Sequence, residues 1–173
     1  MKRILFIITI LALSFGHASA QKKAKRQADE ATMAWNYEIE QVGTGKSGSV
    51  IVKVWSISKK PEVAAEQAKK NAIHGMIFKG APGIENRVPA KQPLMKDANG
   101  YEENKAFFDQ FLADGGAYMR FVTLTTNGAL DAGDILKINK KDYKVGVQVT
   151  VSYDELRKYL EQNRVTKRLD AGF

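Results

Sequence analysis

The segment Tyr143-Lys144-Val145-Gly146-Val147-Gln148-Val149-Thr150-Val151 constrains the fold more than any other stretch of this chain. Side chains on a strand alternate between faces, so Tyr143 and the four valines share one side. Lys144, Gly146, Gln148 and Thr150 share the other. A strand with one apolar and one polar face belongs to an antiparallel sheet that is buried on one side and wet on the other.

Three further strands are predicted. Trp35, Tyr37 and Ile39 alternate with Asn36, Glu38 and Glu40 and begin the first. The second runs over Ser49–Ile57, with Val50, Val52 and Val54 on one face and Ile51, Trp55 and Ile57 on the other. Apolar on both faces, it reads as a central or doubly covered strand. The run Gly43-Thr44-Gly45-Lys46-Ser47-Gly48 joins the two as a hairpin turn. Ala117–Thr126 reads as the third strand and Tyr143–Val151 as the fourth.

Pro61 suits the first turn of a helix that continues to about Lys79, where Gly80 ends it. Ala65, Ala68, Ala72 and Met76 form its stripe, small enough for the axis to lie close to a sheet; Lys69 and Lys70 are expected to face outward. Tyr101–Asp114 is a second helix carrying Phe108, Phe111 and Leu112, broken by Gly115-Gly116. Ser152-Tyr153-Asp154-Glu155 has the form of a capping box that opens a last helix buried through Leu156, Tyr159 and Leu160. The order strand, strand, helix, helix, strand, strand, helix predicts an α+β domain: an antiparallel sheet of about four strands with helices packed on one face.

Ahead of this domain, Met1–Ala20 has a basic start (Lys2, Arg3), an apolar stretch from Ile4 to Phe15, and the small-residue ending Ala18-Ser19-Ala20. This is the pattern of a secretory signal cut after Ala20. The rival reading is an uncut anchor, favoured by the positive charges at Lys22, Lys23, Lys25 and Arg26. The apolar stretch is short of the roughly 20 residues that span a bilayer, which favours cleavage. The resulting plan is a signal peptide at 1–20, a basic arm at 21–32, a single α+β domain at 33–165 and a tail at 166–173. The expected location is periplasmic or secreted, without a stable transmembrane anchor after cleavage.

Loss of Lys2 and Arg3 lowers the formal charge from +8 to about +6. A basic exported protein meets anionic lipid headgroups or glycans before nucleic acid, so no nucleic-acid partner is expected. The chain has no cysteine, which removes thiol chemistry, disulfides and cysteine metal sites. His74 is the one histidine beyond the leader, so a zinc site is not expected. It lies off the alanine stripe and reads as a surface or boundary residue. No metal, cofactor or catalytic set is predicted.

Gly43–Ser47 misses the phosphate-loop pattern, which requires glycine where Glu40 stands and a helix rather than a strand afterwards. Asp131 and Asp134 are the acids available to an alternative reading, a small carboxylate-dependent envelope hydrolase. The connection Gly80–Gly100 holds Pro82, Pro89 and Pro93 and is long for a compact domain, as working or mobile loops are. Its cations Arg87, Lys91 and Lys96 are the candidate partner-binding residues.

The helix Val63-Ala64-Ala65-Glu66-Gln67-Ala68-Lys69-Lys70-Asn71-Ala72 after a hairpin resembles small bacterial envelope domains of the LPP20 and flagellar FlgT N-terminal type. Val147-Gln148-Val149-Thr150-Val151-Ser152-Tyr153 is similar to their closing strand. The likeness covers about half the chain beyond the leader and implies an envelope binding or assembly role without catalytic residues. The chain lacks the lipidation cysteine of the LPP20 type, so membrane tethering does not carry over. The expectation is a non-enzymatic envelope domain binding a protein partner or an anionic glycan or lipid headgroup. A self-associating structural subunit is a further alternative.

Overall fold

The computed structural model describes residue 26, residues 35–126 and residues 129–166. The leader, all of the basic arm except Arg26, and the tail beyond residue 166 lie outside them. The first two strands are β1 (Tyr37–Thr44) and β2 (Val50–Ser58). They form the expected hairpin, with Tyr37 opposite Ser56 and a bulge between Gln41 and Gly43. The turn closes through Gly45 N–H to Ser49 C=O at 2.9 Å and takes left-handed φ at Ser47 (54°) and Gly48 (73°).

The fold is α+β, as the alternating patterns require. Its sheet has five strands rather than about four. β3 (Val122–Leu124), β4 (Ile135–Lys137) and β5 (Tyr143–Val151) complete it. The order is β1-β2-β5-β3, all antiparallel, with β4 also on the outer edge of β5. β3 takes the Val149–Val151 end of β5, and β4 takes the Tyr143–Val145 end. The third strand is shorter than its sequence implied, because Ala117–Phe121 coils into a 3-10 turn that buries Tyr118 and Phe121.

α1 (Pro61–Phe78) crosses one face of the sheet, with Pro61 at its first turn. Every residue from Lys70 to Ile77 is buried, because the sheet lies on one side and aromatic side chains close over the other. Phe78, for example, meets Phe108 at 4.9 Å between ring centres. Lys70 therefore does not face outward: its stem is buried and its ammonium lies 5.9 Å from the Tyr118 ring. A Cβ at Gly75 would sit 2.8 Å from Ile39 Cδ1, so the missing side chain sets how near α1 approaches β1. Gly80 ends the helix at φ 71°, donating to Gly75 C=O at 2.8 Å.

The second predicted helix is split into α2 (Gly100–Glu103) and α3 (Lys105–Phe111). Asn104 makes the break, its side chain donating to Gly100 C=O at 2.9 Å. α4 (Tyr153–Gln162) buries Leu156 and Leu160 as expected, but the capping box does not form. Ser152 makes no side-chain cap; instead Asp154 N–H donates to Gly48 C=O at 3.3 Å, so the hairpin tip serves one orphan donor of the helix. No described helix is long and apolar enough to cross a membrane.

Candidate functional site

α1 covers the face of Val52 and Val54, both fully buried. Lys53 and Trp55 alternate onto the other face, which no helix covers among the described residues. In the register of the sheet Trp55 stands between Glu38 on β1 and Gly146 on β5. A Cβ at Gly146 would lie 2.9 Å from the indole and 2.9 Å from Lys53 Cε. Glycine in mid-strand thus lets both side chains lie flat across β5.

Charges then close around the ring. Lys53 Nζ reaches Asp134 Oδ1 at 2.5 Å, and its ammonium lies 4.8 Å from the indole centre. Lys144 donates to both oxygens of Glu38 at 2.8 Å and lies 5.6 Å from the same ring. The indole N–H donates to Glu40 at 3.2 Å. Each of these cations already has its anion, and Glu40, which meets the neutral indole N–H, leaves the patch one negative charge in excess within a strongly basic chain. Ile57 and Leu136 flank Lys144 in one row and are 46% and 48% exposed. An aromatic plate, an apolar row and paired charges thus share one face, and no nucleophile is part of it.

The residues singled out in sequence fall elsewhere. Arg87 is exposed in the turn between Ile84 and Val88, beside a shallow cavity of about 580 Å³ formed by Gly83–Ala90. Lys91 is half-buried, bonded through its backbone to Ala81, with its ammonium 4.9 Å from the Tyr153 ring. Lys96 is exposed beyond the buried Met95. The loop is fastened: Leu94 and Met95 donate to the Met76 and Ile77 carbonyls at 3.1 and 2.8 Å, answering orphan acceptors of α1. Tyr153 O–H donates to Gln92 C=O at 3.2 Å. Arg87, Lys91 and Lys96 therefore occupy three different settings: a turn tip, a half-buried support and a free flank.

Asp134 is taken by Lys53, whereas Asp131 is exposed at the start of the short 3-10 turn Ala132–Asp134. His74 is buried rather than superficial. Its Nδ1 lies 2.6 Å from the Tyr37 hydroxyl, and its ring stacks on Trp35 at 3.7 Å. Burial, and secondarily the charge of Lys79, pushes the imidazole down to about 3, while burial pushes the Tyr37 hydroxyl up. Tyr37 and a neutral His74 therefore share this hydrogen bond. The pair fastens β1 to α1 within the core. Among the described residues no cluster of three or more His, Asp or Glu could hold a metal ion.

The open-face residues were missed as a site because each looks ordinary alone. One signal was available: a glycine amid the polar positions of β5, which marks a close approach by something from a neighbouring strand. Comparison with models of protein families, with curated proteins and with solved structures finds no match to this chain. The resemblance to envelope domains thus rests on sequence pattern alone.

Proposed function

We propose that the chain is an exported, non-enzymatic domain of the cell envelope, periplasmic or secreted, that binds an envelope protein through the uncovered face of its sheet. The observation that carries this reading is Trp55, held across Gly146 among paired charges, with Ile57 and Leu136 exposed beside it. Protein interfaces favour aromatic and apolar centres within a polar rim. An anionic envelope polymer is the second reading, supported by the net charge of about +6 that remains once Lys2 and Arg3 leave with the leader, and by the exposed Arg87 and Lys96.

Capture from an envelope extract separates these two partners. Trp55→Ala with Ile57→Ser should abolish capture of the protein partner while leaving the fold intact; undiminished capture would overturn the open-face reading. Arg87→Gln with Lys96→Gln should abolish binding only if the partner is an anionic polymer. Cell fractionation with intact-mass measurement tests export. The expected product begins at Gln21 and lies outside the cytosol, and a cytosolic product retaining Met1 would sink the proposal.

A further inference from the structure

Among the described strands β1 is at the edge of the sheet, and one hydrogen bond fixes which of its backbone groups face out. Gln41 N–H donates to Pro82 C=O at 2.7 Å, away from β2. Backbone direction alternates along an antiparallel strand, and the register is unbroken from Tyr37 to Gln41. Tyr37 and Ile39 therefore also turn their N–H and C=O groups outward. The far side of the sheet agrees: the same alternation, carried through β2 and β5, points Gln148 C=O outward, and it accepts from Thr125 N–H at 3.2 Å. Among the described residues no backbone bond reaches Tyr37 or Ile39 from outside.

A groove of about 490 Å³ runs along these free groups, bounded by β1 and Trp55 on one side and by Lys79, Gly80 and Pro82 on the other. Pro82 closes it at Gln41, where its carbonyl already occupies the place of a neighbouring strand. An incoming segment therefore has a defined stop and pairs with Tyr37 and Ile39 only.

Charge selects the occupant. Glu38 and Glu40, two residues apart, project from the same face of β1, and the Glu38 side chain is 71% exposed. A second copy pairing edge to edge would set these glutamates against their own kind, which like charges on facing strands oppose. We propose that this groove takes an extended segment of a partner protein, added as a sixth strand, with Lys or Arg at two alternate positions facing Glu38 and Glu40. This deepens the protein-binding reading above and rests on it.

The probe is an acetylated eight-residue peptide alternating lysine and valine, with a glutamate–valine peptide as control, followed by amide exchange and NMR shifts on the whole chain. In the free protein, Tyr37 and Ile39 amides should exchange at least tenfold faster than those of Glu38 and Glu40. The lysine peptide should slow Tyr37 and Ile39 at least tenfold, and the glutamate peptide should not. Equal protection in the free protein, no binding at millimolar peptide, or binding that leaves Tyr37 and Ile39 unchanged would each overturn the proposal. Glu38→Gln with Glu40→Gln should weaken the lysine peptide at least fivefold, and unchanged affinity would refute the charge selection. If the edge fails while Trp55→Ala with Ile57→Ser still abolishes partner capture, the edge assignment falls and the protein-binding reading stands.

Discussion

The two faces of β2 are one residue apart and obey different physics. Val52 and Val54 are sealed under α1, where close packing decides every atom. Lys53 and Trp55, their neighbours, lie on an open face held in order by ion pairs and an N–H bond around one ring. A region built by shape punishes any change of volume. A region built by partly exposed pairs loses little stability when altered, which leaves it available for recognition.

The sharpest way to break that contrast is Phe108→Ala. Phe108 is fully buried and touches Phe78, Tyr101 and Phe107. Its truncation should cost about 3–5 kcal/mol by denaturant unfolding, and a loss below 1 kcal/mol would show that the covered face is loosely packed.

Acid comes next. The folded chain holds His74 neutral down to about pH 3, whereas a free imidazole protonates near 6.5. Between these values only the unfolded chain takes the proton, so stability falls as pH drops below 6.5 and this loss levels off near 3. Each pH unit in that window costs on the order of 1.4 kcal/mol. NMR of the imidazole should show no titration above pH 4; a midpoint near 6.5 would remove His74 from the core.

Two glycines then sharpen the comparison. Gly75→Ala drives a methyl into Ile39 within the packed layer and should destabilise by about 1–3 kcal/mol, despite the better helix propensity of alanine. Gly146→Ala meets only the far ends of Lys53 and Trp55 and should cost about 1 kcal/mol or less. In a Trp35→Phe background it should also shift Trp55 fluorescence to the red, as the indole lifts from the strand. Equal costs for the two substitutions would erase the distinction between the faces. Smallest of all, Ile57→Thr should change unfolding stability by no more than about 0.5 kcal/mol.

Much of the fold was legible in the sequence. Tyr143–Val151 and the hairpin carry alternation long enough to be unambiguous, and Pro61 and Gly80 bracket α1 because each suits only one end of a helix. Short elements escaped. β4 has three residues, too few for a period, and Ala117–Phe121 alternates well enough to imitate a strand although it packs as a 3-10 turn. Ser152 has the right chemistry for a capping box, but the Gly48 carbonyl already meets Asp154 N–H, a partner more than a hundred residues away in sequence. The candidate site was hidden for the same reason. Lys53–Asp134 and Glu38–Lys144 are long-range pairs, and a linear reading favours clustered charges such as Arg87, Lys91 and Lys96 instead.

The central pairing of the sheet joins β2, in the first third of the chain, to β5, which ends at Val151. Nothing can complete the middle of this sheet until almost the whole polypeptide is available, and contacts so distant in sequence make for slow folding. Under the proposed export that delay would be an advantage: the leading portion would stay unknotted and pliable during passage through a membrane pore, and a late segment would lock the assembly on the far side.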